Sequence, residues 1–253
     1  MPDAIFAHPR LAPLYDAFDG ERDDLGAYLA IADEVAANVV LDVGCGTGSL
    51  AILLAGSGRT VVGVDPAEAS LAVARRKDPA GRIRWIHGDA AAVPALDVDL
   101  VTMTGNVAQV FLTDGDWVRT LRGIHAALRP DGHLVFETRR PERRAWQEWA
   151  AETEPITVDI PGTGPVERRL EVTDVSPPFV SFRYTYRFLT DGAVVTSDST
   201  LRFRGRDEVE SSLSGTGYRV LDVREAADRP GREFVFVAAR SPGHRPGPAT
   251  RPA

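Results

Sequence analysis

The residues best suited to chemistry lie in one short stretch, Val40-Leu41-Asp42-Val43-Gly44-Cys45-Gly46-Thr47-Gly48. A β-branched run ends in three glycines at alternate positions, and Leu50, Leu53 and Leu54 follow at helical spacing. Glycines between a strand and a helix let the backbone turn sharply and approach a ligand closely. The spacing is G-x-G-x-G, not the G-x-G-x-x-G of a dinucleotide loop, and Asp42 precedes it inside the strand. A pyrophosphate wants several N–H donors at a helix N-terminus; a zwitterionic amino-acid tail needs close backbone approach and acceptors as well. Asp65 closes the next β-branched run, about 20 residues on, where a carboxylate can accept hydrogen bonds from two ribose hydroxyls. It also disfavours a 2′-phosphorylated cofactor. A further acid, in Gly88-Asp89-Ala90, follows the third such run.

These residues need a scaffold that brings strand ends together. Residues 39–43, 60–65, 83–87, 98–103 and 134–136 read as strands, separated by helical patterns. Pro66 suits the first turn of one helix. Trp117, Leu121, Ile124 and Leu128 recur at steps of three and four, with Asp114 as expected cap, His125 on the solvent side and Pro130-Asp131-Gly132 as stop. Strands alternating with helices imply a parallel sheet with crossovers, that is, an α/β fold binding its ligand along the carboxyl ends of the strands. After Pro141 the period changes to two: Val180, Phe182, Tyr184, Tyr186 and Phe188 alternate with polar residues, and Asp191-Gly192 signals a hairpin. Residues 196–203 and 169–175 supply the flanking strands. Helical spacing returns near Arg206 with Val209 and Leu213, and residues 218–223 and 234–238 read as two last strands. The expected organisation is an N-terminal helical segment (1–35), an α/β domain (36–144 and 206–240), an antiparallel β insertion (145–205) and a Pro- and Gly-rich, disordered tail (241–253).

Composition narrows the function. The 253 residues carry 29 Lys and Arg against 36 Asp and Glu, a net charge of −7, which lacks the positive field that draws proteins onto nucleic acid or anionic lipid. One cysteine forms no intramolecular disulfide and no cysteine-rich zinc site. Metal dependence is not expected. No signal peptide is visible, and the apolar runs are far shorter than the roughly 20 residues of a membrane helix. The expectation is a cytoplasmic protein with a small-molecule substrate and neither nucleic-acid nor membrane partner; nothing in the chain speaks to oligomeric state.

The set Leu41-Asp42-Val43-Gly44-Cys45-Gly46-Thr47-Gly48, Val64-Asp65-Pro66, Gly88-Asp89-Ala90 and Leu128-Arg129-Pro130-Asp131-Gly132-His133-Leu134 resembles the class I S-adenosylmethionine (SAM)-dependent methyltransferases, over residues 35–140. The resemblance implies a Rossmann-like, doubly wound seven-stranded sheet whose last strand is antiparallel. It implies SAM as cofactor, held by Asp42, Gly44, Cys45, Gly46, Gly48, Asp65, Pro66, Asp89 and Ala90. The glycines would pass the methionine part, Asp65 the ribose, and Asp89 with the Ala90 amide the adenine. Backbone groups at Thr104, Gly105 and Asn106 would line the methionine end. Leu14-Tyr15-Asp16 looks like the N-terminal lid segment of small-molecule members, and the β insertion like the lid of glycine-type and amino-sugar N-methyltransferases.

Candidate catalytic residues are Tyr15, Asn106 and Glu137, expected near the mouth of the crevice. Arg139 and Arg140 follow the fifth strand beside the expected acceptor pocket, and guanidinium forks suit an acidic group there; a solvated charge run is the plainer reading. Asp89 reads alternatively as a helix cap, Cys45 as packing, His87 as an ordinary strand residue, and the aromatic run Phe182 to Phe188 as a sheet face packed on its neighbours. Trp146 and Trp149 read as helix anchors. The function expected is methyl transfer from SAM to an N or O nucleophile of a small molecule, one able to carry an acidic group. Two alternatives stand beside it: a SAM-binding regulatory protein without turnover, and an NAD-dependent oxidoreductase.

Overall fold

The computed structural model describes residues 2–20, 22–90, 93 and 96–241. In chain order the elements are α1 (Ala4–Ala7), α2 (Tyr15–Asp19), α3 (Leu25–Glu34), β1 (Val39–Val43), α4 (Ser49–Gly56), β2 (Thr60–Asp65), α5 (Glu68–Lys77), β3 (Ile83–His87), β4 (Val98–Met103), α6 (Asp114–Ala127) and β5 (Leu128–Arg139). There follow α7 (Ala145–Ala151), β6 (Ile156–Ile160), β7 (Gly164–Ser176), β8 (Phe179–Phe188), β9 (Val194–Arg202), α8 (Arg206–Gly215), β10 (Tyr218–Glu225) and β11 (Glu233–Arg240). The tail expected to be disordered lies, from residue 242, outside the described residues.

Seven strands form one sheet in the order β10-β11-β5-β4-β1-β2-β3. Only β11, the last in sequence, runs against the rest, pairing antiparallel with both β5 and β10. The fold is therefore the α/β, Rossmann-like doubly wound sheet with an antiparallel last strand, joined by a separate antiparallel sheet. Two apolar layers cover its faces. One gathers Trp117, Leu121 and Ile124 of α6 with Val209 and Leu213 of α8; the other gathers Tyr28 and Ile31 of α3 with Leu50 and Leu54 of α4. The chain reverses from β1 to β4, which are neighbours in the sheet, so the carboxyl ends of these two strands open the crevice in which such sheets bind ligands.

Several local expectations need correction. The cap of α6 is Thr113, whose hydroxyl accepts from the Asp116 amide at 3.1 Å; Asp114 is the first helical residue. His125 is buried, edge-on to Tyr218 with ring centroids 5.3 Å apart. It lies four residues after Leu121 and so shares the buried stripe. Pro130-Asp131-Gly132 is not a loop: α6 ends at Ala127 and β5 starts at Leu128, running through the three residues. A proline disfavours helix in the residue before it, which makes Arg129 extended and continues the strand. Pro66 precedes the Ala67 cap of α5 and is not in the first turn.

The second sheet has four strands, β6-β7-β8-β9, where three were expected. β6 is a short, largely exposed edge in which Ile156, Val158 and Ile160 alternate with Thr157 and Asp159, and β7 begins at Gly164, earlier than residue 169. Register places Val166, Arg168, Leu170 and Val172 of β7 opposite Phe188, Tyr186, Tyr184 and Phe182 of β8, so these share one face. The N-terminal segment closes over that face: Ile5, Leu11 and Leu14 pack with Val166, Tyr186 and Phe188. The Ile5 amide donates to Ser197 Oγ at 2.9 Å. Among the described residues no helix is long and apolar enough to cross a membrane.

Candidate active site

The glycine loop joins β1 to α4 with all three glycines in the left-handed region, φ +68° at Gly44, +53° at Gly46 and +83° at Gly48. They are required for different reasons. A Cβ on Gly44 would lie 2.6 Å from a Val107 methyl, and one on Gly48 2.6 Å from the Trp85 ring. Trp85 of β3 also lies across Gly63 of β2, its register partner, where a Cβ would meet the indole at 2.6 Å. The indole thus fills the space under the loop, and two glycines make room for it. At Gly46 a Cβ would meet nothing within 4 Å; this glycine faces open space.

Asp65 ends β2, 8% exposed, and burial raises its carboxyl above the usual range. Its Oδ2 accepts from the Gly46 amide at 2.9 Å and its Oδ1 from Ala67 at 2.7 Å. A carboxylate has about four acceptor sites, so lone pairs remain on both oxygens for a diol. Asp42 lies below the loop, accepting from the Thr102 hydroxyl of β4 at 2.8 Å. Burial pushes its carboxyl up to about 7. Cys45 is buried with its thiol pushed well up by burial, the environment of a packing residue. Pro66 is exposed, with its carbonyl 3.1 Å from His87 Nε2. Exposed Asp89 and buried Ala90 stand after β3 at the same end of the sheet. Among the described residues no group of three or more His, Cys, Asp and Glu could hold a metal ion.

The opposite wall is the loop after β4. Thr104 is half-buried, Gly105 takes φ +71° and Asn106 φ +60°. Glu137 of β5 holds this turn, its Oε1 accepting from the Gly105 amide at 2.7 Å and the Asn106 amide at 3.2 Å. Tyr28 of α3 donates its hydroxyl to the other oxygen. Burial, with Glu233 nearby, pushes the Glu137 carboxyl up to about 7. Glu137 is 1% exposed, so it shapes the loop and does not stand at the crevice mouth as expected. Asn106 donates from Nδ2 to Glu233 Oε1 at 3.1 Å, while its buried Oδ1 has no hydrogen-bond partner.

Beyond this loop lies a cleft of about 180 Å³ between the N-terminal segment, the β4 loop and the second sheet, lined by Tyr15, Phe18, Asn106, Arg139, Arg168 and Tyr184 among others. Tyr15 and Asn106 both line it. Burial raises the Tyr15 hydroxyl far above its ordinary value. Arg139 reaches the cleft, but donates to Gln109 Oε1 at 3.0 Å and lies 3.8 Å from Glu233. Arg140 does not line the cleft. Successive strand residues face opposite sides, and Arg140 stacks over Phe234, 4.3 Å from its centroid, and pairs with Glu225 at 3.1 Å. Trp146 and Trp149 on α7 anchor that helix against Phe203. A second groove of about 230 Å³ between α3 and β10, lined by Tyr28 and Glu225 among others, includes none of the glycine loop, Asp65, Asn106 or Arg168.

Sequence reasoning assigned no specific role to four contributors. Asp16 of α2 accepts from Thr47 Oγ1 in the glycine loop at 2.5 Å and from Lys77 Nζ at 2.7 Å, clamping the N-terminal segment onto the loop. Glu233 and Gln109 support Asn106 and Arg139 from distant points of the chain. Arg168 carries a signal that was available: it is a charge among inward apolar positions of an alternating strand. Phe182, Tyr184 and Tyr186 line the cleft, so the aromatic face is also its wall.

Residues 40–132 match a sequence family described as a methyltransferase domain. An uncharacterised methyltransferase of Oceanobacillus iheyensis is 32% identical over 133 residues, which are 49% of this chain and 62% of that protein. This chain thus spans less than two thirds of that relative's length. Among solved structures, a SAM-dependent methyltransferase from Clostridium acetobutylicum superposes with a TM-score of 0.74 at 15% identity, covering 92% of this chain and 98% of that one. SAM-bound CalS10, an amino pentose methyltransferase from Micromonospora echinaspora, superposes at 0.68 with 23% identity, covering 89% and 95%. Residues 40–132 thus match a methyltransferase domain, within a chain whose fold is that of solved SAM-dependent methyltransferases.

Proposed function

We propose that the chain transfers the methyl group of SAM to a nitrogen or oxygen nucleophile of a small molecule. Its residues fit SAM by their own geometry. Gly46 turns an open, side-chain-free surface outward beside the spare acceptor sites of Asp65. At the other end of the crevice, Asn106 Oδ1 is a buried acceptor without a donor, a state that costs about 1–3 kcal/mol until a ligand relieves it. Bound there, SAM supplies an electrophilic methyl on a sulfonium, already a good leaving group.

The protein's task is then alignment, which can be worth on the order of 7–11 kcal/mol of barrier. Asp65 holds the ribose, Asp89 and the Ala90 amide the adenine edge, and the backbone of Thr104 and Gly105 the methionine end. Asn106 orients the nucleophile by accepting its N–H or O–H at Oδ1. Tyr15, kept protonated by burial, donates from its hydroxyl and closes the cleft to water. Glu137 acts through the Gly105 and Asn106 amides and is a positioning residue. An amine acceptor needs no base, since its proton leaves to water after transfer. The SAM-bound amino pentose methyltransferase of the same fold supports a small-molecule acceptor.

The observation that carries this reading is the junction of cleft and crevice at Asn106. It is tested by supplying the full chain with methyl-labelled SAM and a panel of small amines, phenols, hydroxy acids and amino sugars. We expect label transfer, with Asn106→Ala lowering kcat roughly 10²- to 10³-fold if it acts in the transition state while leaving S-adenosylhomocysteine binding intact. Cofactor binding without transfer to any acceptor would favour the regulatory alternative.

A further inference from the structure

We propose that Arg168 selects the acceptor, and that the acceptor carries an acidic group, carboxylate or phosphate, on a flat apolar body; this rests on the methyl-transfer reading above. By register, the face of the second sheet that meets the cleft carries Ile156, Val158, Ile160, Val166, Leu170, Val172, the β8 aromatics, Val195, Ser197, Ser199 and Leu201. Arg168 is the one charge on it. Its guanidinium lies 4.8 Å from the Phe18 ring centroid and 4.9 Å from that of Tyr184, and Tyr186 is its cross-strand partner. Ring contacts use none of its N–H groups as conventional donors, and the planar guanidinium fork suits a carboxylate or phosphate in the cleft.

The other charges at the cleft are already answered. Asp19 pairs with Arg22 at 3.1 Å, Arg139 lies 3.8 Å from Glu233, and burial raises the Asp3 carboxyl, which favours its neutral form. Among the described residues no carboxylate comes within 4.0 Å of the Arg168 guanidinium. A half-buried cation without an anion is costly, and an acidic acceptor supplies the missing charge. Phe18, Phe182 and Tyr184 offer ring faces to a flat body.

The test uses the full chain saturated with S-adenosylhomocysteine, titrated by ligand-observed NMR with 4-aminobenzoate, phenyl phosphate and neutral 4-aminobenzamide. We expect at least one acid to bind roughly ten- to a hundredfold more tightly than the amide, the two acids separating carboxylate from phosphate as the preferred group. Arg168→Gln abolishes the preference with S-adenosylhomocysteine affinity unchanged, and Arg168→Lys, which keeps the charge without the fork, restores part of it. Equal binding of acids and amide, no binding of either to the loaded protein, or a preference that survives Arg168→Gln overturns the proposal. If Arg168→Gln fails to fold, the wild-type comparison and Arg168→Lys still decide. Failure of S-adenosylhomocysteine itself to bind instead refutes the methyl-transfer reading beneath it.

Discussion

Asp65→Asn separates cofactor binding from folding. The substitution keeps the volume and one acceptor oxygen. It removes the charge and points an NH₂ group at either the Gly46 or the Ala67 amide, now 2.9 and 2.7 Å from carboxylate oxygens. A hydrogen bond to a charged group contributes about 1.5–3 kcal/mol. One such bond within the loop and one to a ribose hydroxyl are weakened. In the free protein a second effect opposes the loss: burial raises the Asp65 carboxyl, so its charge is costly there and a neutral amide relieves the cost. Stability therefore changes little, by about 1 kcal/mol or less. The ribose bond has no such offset, and the dissociation constant for S-adenosylhomocysteine rises roughly ten- to a hundredfold. Calorimetric titration measures the affinity and urea unfolding the stability. An affinity within about threefold of wild type, in a variant that melts normally, refutes the role assigned to Asp65.

The glycine loop yields a contrast. Gly48→Ala drives a Cβ into Trp85 and costs about 2–4 kcal/mol of stability from overlap and left-handed strain. Gly46→Ala costs only the strain, about 1–2 kcal/mol, yet abolishes cofactor binding; equal losses of stability would contradict the packing described. Asp42 and Glu137 are pushed up to about 7 from ordinary values of 3.8 and 4.5. The folded state thus keeps protons that the unfolded chain releases, so stability falls as pH rises from about 4 to 7 and levels off above. In urea melts across that range Asp42→Asn reduces the slope by about 1.4 kcal/mol per pH unit; an unchanged slope contradicts the assignment. Asp16→Ala releases Thr47 and Lys77 and speeds dissociation of S-adenosylhomocysteine by roughly three- to tenfold in stopped flow. An unaltered off-rate leaves the clamp without a role in holding the ligand.

The parallel half of the fold was open to reading because its signals are local. β1, β2 and β4 are largely buried runs rich in Val and Leu, β3 is a short edge strand beside them, and the expected limits of all four coincide with those observed. The glycine loop and Asp65 lie within one βαβ unit and announce themselves by spacing. What was hidden depends on contacts between distant residues. The Glu137 carboxylate reads as a strand-end catalyst until Tyr28 and the Gly105 and Asn106 amides, 109, 32 and 31 residues away, are seen to occupy it. The Asp16–Thr47 clamp joins residues 31 apart without any pattern. Two further features are legible in the spacing: His125 follows Leu121 by one helical turn and belongs to the buried stripe, and Arg168 interrupts an inward apolar alternation. Arg140 shows the limit of counting along a strand, since its side is set by where β5 meets β11.

The most direct test of the whole account is a calorimetric titration of the full chain with SAM, S-adenosylhomocysteine and NAD under identical conditions. The geometry of Gly46, Asp65 and Asn106 predicts saturable one-to-one binding of the first two and none of the third. Binding of NAD in their place, or indifference to all three at millimolar concentration, contradicts it.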